Sequence, residues 1–158
     1  YTSHYVSDFT AGVDGWAGGT TAECGFAGAV LGGPFVFGGT GVLSQEFFGL
    51  GPHTLLRVEM DVLAIDSWET GDTFSVWVGD AEFGPYDQDG GDLVASEQIC
   101  GSPADPFLRP FGSGIDTLRS LRLDLPHTDD SVRVEVRSGL DQSAGDESLA
   151  VANVVVGV

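Results

Sequence analysis

The passage Leu55-Leu56-Arg57-Val58-Glu59-Met60-Asp61-Val62 decides the architecture, together with the acidic turn Ile65-Asp66-Ser67-Trp68-Glu69-Thr70-Gly71-Asp72 and the run Thr73-Phe74-Ser75-Val76-Trp77-Val78 that follow it. In the first arm Leu56, Val58, Met60 and Val62 fall on one side and Arg57, Glu59 and Asp61 on the other, the period of two of a half-buried strand. The second arm repeats this, with Phe74, Val76 and Val78 against Thr73, Ser75 and Trp77. Two strands of similar length are therefore predicted on either side of a turn rich in Asp, Ser and Gly.

The same pattern extends outward. Tyr1 to Thr10 alternates Tyr5, Ser7 and Phe9 with His4, Val6 and Asp8, and Ala11 to Gly33 is a Gly-rich loop with brief extended parts, in which Trp16 is expected to act as a lid on the core. Short strands are expected at Phe35 to Phe37 and Val42 to Phe48, separated by Gly38-Gly39-Thr40-Gly41, where glycines accept positive φ. Further strands are read at Glu82 to Tyr86, Leu93 to Ile99, Leu121 to Leu125, Val132 to Arg137 and Leu149 to Val156. Ser102 to Pro110 is Pro-rich and is read as a surface connection, because each Pro removes a ladder donor. No window sustains apolar residues at i, i+3, i+4 and i+7. The fold predicted is all-β: a two-sheet antiparallel, jelly-roll-like sandwich of about 9 to 11 short strands, with residues 1–158 as one domain.

Composition narrows the function classes. The 158 residues hold 24 Asp plus Glu against six Arg and no Lys, a formal charge of −18. Such a field repels phosphate backbones and anionic lipid surfaces, so nucleic-acid partners and membrane insertion are not expected, and no run approaches the roughly 20 apolar residues of a membrane span. The chain starts at Tyr1 rather than Met, which points to a processed or excised piece. Asn153 is the only Asn and lacks the acceptor pattern for N-glycosylation. Cys24 and Cys100 pair in an oxidising, extracellular setting, or stand as two small buried hydrophobes in a reducing one; the disulfide is the reading adopted.

Cations are the natural partners of this charge, although its overall size is read first as keeping the protein soluble in a salty medium, with calcium reserved for particular carboxylate clusters. Calcium needs six to eight oxygens, and Asp66, Glu69 and Asp72 in the central turn and Asp141, Asp146 and Glu147 before the last strand could offer them. Asp87, Asp89 and Asp92 begin like a calcium loop but lack its later ligands. The competing reading of each set is a solvated turn capping its own backbone. Trp68, Trp77 and Tyr86 are candidate contacts to glycans or partners, since an aromatic face stacks on a pyranose while carboxylates take its hydroxyls. For Trp68 a plug at one end of the sandwich is the preferred reading, and for Trp77 packing under a loop or against a neighbouring subunit stands level with ligand contact. Catalysis is not expected: His4, His53 and His127 sit in no nucleophile motif, and Glu59 with Asp61 reads as a solvent-facing stripe.

Gly15-Trp16, Cys24-Gly25, Leu31-Gly32-Gly33, His53, Ile65-Asp66-Ser67-Trp68-Glu69, Cys100-Gly101, Leu140-Asp141-Gln142 and Asp146-Glu147-Ser148 follow one another in an order that spans nearly the whole chain. This order resembles a β-sandwich module of large secreted and cell-surface proteins of protists and algae, including mastigoneme-like flagellar hair proteins. The resemblance implies an extracellular, non-enzymatic module of structural or adhesive type, assembling with itself or with neighbouring modules into a filament or fibre. A calcium-assisted, lectin-like carbohydrate-binding module is the second reading. One departure stands out. The family's last strand resembles Asp-Glu-Ser-Trp-Gly-Ile-Asp-Asn-Val, and here Ala152 replaces the Asp that would help hold a metal beside Asp8.

Overall fold

The computed structural model describes residues 1–34, 36–66, 68–100, 115–141, 144 and 147–158. Eleven strands are found there: β1 (Ser3–Ser7), β2 (Thr21–Glu23), β3 (Ala29–Gly32), β4 (Val42–Phe47), β5 (Leu55–Asp66), β6 (Thr73–Val78), β7 (Ala81–Tyr86), β8 (Asp92–Glu97), β9 (Asp116–Pro126), β10 (Val132–Gly139) and β11 (Glu147–Gly157). They form two antiparallel sheets. The larger runs β2-β3-β11-β5-β9-β8, with β1 beside the far end of β11, and the smaller runs β4-β10-β6-β7. The predicted two-sheet sandwich is the fold. No helix among the described residues is long and apolar enough to cross a membrane.

The two arms of the central passage differ from their expected symmetry. β5 has 12 residues and β6 has 6, and they lie in different sheets. The acidic turn is therefore an arch that carries the chain from one sheet to the other. Alternation cannot distinguish an arch from a hairpin, because both leave one apolar face per strand. The strand expected at Phe35 to Phe37 also fails. Val36 and Phe37 both direct their amides to the Gly33 carbonyl in a turn, and Phe37 is buried at 4% exposure. The Pro-rich segment lies outside the described residues.

Between the sheets, Leu56, Val58, Met60 and Val62 of β5, Leu121, Leu123 and Leu125 of β9, and Leu149 and Val151 of β11 face Phe47 of β4, Phe74, Val76 and Val78 of β6, and Val132, Val134 and Val136 of β10. Trp16 is buried with them, edge-on to Phe47 at 6.1 Å. A second cluster lies on the opposite face of the large sheet, where Leu63 and Ile65 of β5 and Ala150 and Ala152 of β11 meet Cys24, Val30, Ile99 and Leu118. A disulfide joins Cys24 to Cys100, with Cα atoms 5.0 Å apart. Asp116, fully buried at the start of β9, anchors this cover by accepting the amides of Asp66, Ile99 and Cys100 at 2.8 to 2.9 Å. Burial pushes its carboxyl above the ordinary range, and the three amides pull it back.

Candidate functional site

Alternation along β6 and β10 sends Phe74, Val76, Val78, Val132, Val134 and Val136 into the core, which leaves Thr73, Ser75, Trp77, Arg133, Glu135 and Arg137 on the outer face of the small sheet. Register then sets the neighbours. Trp77 stands opposite Glu135 of β10 on one side and Glu82 of β7 on the other, and Glu135 stands opposite Ser44 of β4. Arg133 and Arg137 grip Glu135 from both sides at 2.7 Å, and Arg133 also donates to the Ser44 hydroxyl at 3.1 Å. These two guanidiniums, Arg133 first, hold the Glu135 carboxyl below the ordinary glutamate range. The Arg137 guanidinium sits over the half-buried Trp77 ring, 4.3 Å from its centroid. The result is an indole carrying the Arg137 guanidinium on one face and rimmed by an ionised carboxylate; a sugar ring that displaces that guanidinium can stack on the indole and bond the charged groups around it.

The other aromatic candidates are elsewhere. Trp68 is 7% exposed, packs edge-on against Phe74 and donates its Nε1–H to the Ser148 carbonyl at 2.9 Å. It plugs the sandwich and offers no ring face, so it is removed from the set of contact residues. Tyr86 pairs with Phe74 across β6 and β7 and faces the core side of the small sheet, away from Trp77. Its ring lies 5.3 Å from that of Phe74, and burial raises the pKa of its hydroxyl.

Of the six carboxylates read as possible calcium ligands, the fold gathers Asp72, Asp141 and Glu147, whose nearest oxygens all lie within 4.8 Å of one another. Asp72 and Glu147 are buried and Asp141 is exposed. Asp72 also accepts the amides of Glu69 and Asp141, which ties the arch between the sheets to the segment before β11. This oxygen spacing and hard, anionic donor set suit calcium. Asp66 is the cross-strand partner of Glu147 but stands outside the set. Glu69 contributes its amide, and Asp146 lies outside the described residues. Asp8, near which the related pattern would hold a metal, caps its own turn through the Thr10 amide and hydroxyl. The loop of Asp87 and Asp89 is organised by a side-chain cation: Arg119 donates to the Asp89 and Gly91 carbonyls at 3.1 Å and pairs with the Asp89 carboxylate.

Two polar sites escaped the sequence reading. Asp61, read as part of a free stripe, accepts from Ser120 at 2.6 Å and from Asn153 at 2.9 Å. His53 and His127, 74 residues apart, meet at 2.8 Å. Neither pairing has a local sequence signal, since the partners join only through strand register.

No family model and no curated protein matches the sequence. Solved structures do match the fold. One is TmCBM27, a carbohydrate-binding module described for specific mannan recognition, with a TM-score of 0.51, 11% identity and coverage of 99% of this chain and 98% of that one. Another is the CBM22-1 xylan-binding domain of Paenibacillus barcinonensis Xyn10C, with a TM-score of 0.53, 12% identity and coverage of 99% and 94%. The likeness is one of fold.

Proposed function

We propose that this chain is a non-catalytic, extracellular carbohydrate-binding module whose ligand docks on the Trp77 face of the small sheet. The observation that carries this reading is the half-buried indole set among Glu135, Arg137, Arg133 and Ser44 on an open sheet face. The end-to-end likeness to mannan- and xylan-recognising modules supports it through the fold. The disulfide agrees with an oxidising compartment. With a net charge of −18, neutral polysaccharides are the ligand class expected, since polyanionic chains would be repelled.

Calcium in this reading has a bracing role. Bound by Asp72, Asp141 and Glu147, it would fasten the arch between the sheets to the start of β11 and leave Trp77 free for the glycan. Its removal with a chelator would lower the melting temperature without abolishing sugar binding.

The test is calorimetric titration with soluble neutral oligosaccharides, mannan and xylan fragments among them, alongside binding to the insoluble polymers. Trp77→Ala is expected to weaken binding at least about tenfold, or about 1.4 kcal/mol. Binding equal to that of the parent chain would remove Trp77 from the site.

Assembly into an extracellular filament has one feature behind it beyond the sequence resemblance. Among the described residues β8 ends the large sheet, and it exposes Leu93 and Val94 at 54% and 58%. Light scattering of the purified chain tests it: polymers that Val94→Lys dissolves would favour assembly, and a monomer would favour the sugar-binding reading.

A further inference from the structure

Two of the three histidines, unused by the glycan site, converge at the end of the sandwich opposite the arch. His53 lies in the segment that leads into β5 and His127 follows β9, and their Nε2 and Nδ1 atoms are 2.8 Å apart. The rings are nearly parallel, at 17° with centroids 5.0 Å apart. Three backbone amides lock the two segments together: Leu50 donates to the Asp130 carbonyl at 3.0 Å, Gly51 to the Asp130 side-chain carboxylate at 2.8 Å, and His127 to the Thr54 carbonyl at 3.3 Å. The dyad is thus held by backbone.

Its hydrogen-bond polarity follows from the partners. His53 Nδ1 lies 2.7 Å from the Gly51 carbonyl oxygen, which can only accept. Nδ1 therefore carries the hydrogen of neutral His53, and Nε2 turns a lone pair toward His127; an ion takes both facing nitrogens when the neutral His127 ring holds its hydrogen on Nε2 instead of Nδ1. A carbonyl on the outer nitrogen, fixing the tautomer and aiming the inner nitrogen, is the arrangement that supports a metal-ligating histidine. We propose that His53 Nε2 and His127 Nδ1 form a binding site for a divalent first-row transition ion, zinc or copper.

The spacing suits such an ion. At a metal–nitrogen distance of about 2.05 Å, two imidazoles on one ion stand about 2.9 Å apart at a right angle and about 3.3 Å apart at a tetrahedral angle. The dyad therefore opens by a few tenths of an ångström to admit it. The surrounding field favours a cation. Glu46, Asp80 and Asp129 line the cleft of about 320 Å³ beside His127. The arginine in that cleft, Arg133, is engaged by Glu135, and Arg57 on the His53 side is engaged by Asp124. Water would complete the sphere. The hard oxygen set of Asp72, Asp141 and Glu147 lies beyond the other end of β5, whose 12 residues span about 36 Å at strand rise. Imidazole nitrogen and carboxylate oxygen also select different metals.

The test is titration of the chelator-treated chain with ZnCl2 at neutral pH in a non-coordinating buffer. One equivalent is expected to bind and raise the melting temperature. His53→Gln and His127→Gln are each expected to weaken that binding at least about tenfold, whereas Asp72→Asn is expected to leave it intact. Unchanged binding in both histidine variants, or none up to about 1 mM zinc, overturns the proposal. Should either variant fold poorly, the parent chain loaded with Cu2+ decides by electron paramagnetic resonance: nitrogen couplings from two imidazoles support the site, and an all-oxygen spectrum sinks it.

Discussion

Along the outer face of the large sheet, β5 presents Arg57, Glu59 and Asp61 to the polar side and then Leu63 and Ile65 to a second apolar cluster, whereas the outer face of the small sheet sets one indole among charged and hydroxyl side chains. The difference lies in what covers each face. The chain around Cys24 and Ile99 lies over half of the large sheet and is stitched to itself by the disulfide, and Asp116 bonds its backbone to the sheet. A cluster of fully buried apolar side chains forms on an outer face only under such a cover, because uncovered it would lose the roughly 25 cal/mol per Å² that burial contributes. The small sheet has no equivalent cover among the described residues. Its outer face remains available for a ligand, which is why the functional proposal rests there.

Removing the cover's fastening is the largest test of this contrast. The disulfide closes a loop of 76 residues, so Cys24→Ser with Cys100→Ser is expected to destabilise the fold by about 4–5 kcal/mol in the chain-entropy treatment, read by denaturant unfolding. A loss under about 1 kcal/mol would mean that packing alone holds the cover. Next comes Leu63→Ala, which opens a hole in the second cluster at a fully buried position. It is expected to cost about 2–4 kcal/mol, with glycan binding at Trp77 unchanged.

Trp77→Ala should do the reverse. Its stability cost is expected to stay near 1 kcal/mol or below, since the ring is half-buried and loses mainly its contact with Arg137, while sugar affinity collapses. A large drop in melting temperature would place the indole with the core instead of the ligand face.

The smallest effect concerns pH. Arg133 and Arg137 lower the folded-state pKa of Glu135, so the ion triplet adds stability that is fully present above the unfolded glutamate value, about pH 4.3. That stability is lost as pH falls through the lower folded value. Glu135→Gln should therefore lower the melting temperature slightly at neutral pH and leave the acid end unchanged, which flattens the acid limb; the effect is small because the group is near the surface. An unaltered acid limb would mean that the triplet is screened out.

Reading residues in order was enough for the longer strands, the sandwich and the inner core, because burial of one face imposes a period of two that needs no knowledge of partners; the short β2 and β3, inside the Gly-rich connection, carry too few residues to show it. Val62-Leu63-Ala64-Ile65 also carries, in its unbroken apolar run, the sign of a strand covered on both faces, a cue that strict alternation in the first half of β5 obscured. Asp72, Asp141 and Glu147 were legible as acidic turns but not as one set, and Trp68 was legible as a plug, though its partner, the Ser148 carbonyl, was not. Those distinctions depend on which strands lie side by side. Register alone brings Glu135 beside Trp77, Asn153 onto Asp61 and His127 to His53, across separations of 58, 92 and 74 residues. Local patterning therefore determined the architecture of this protein, and tertiary pairing decided its chemistry, because a hydrophobic face is a property of one segment whereas a site is a property of several brought into contact.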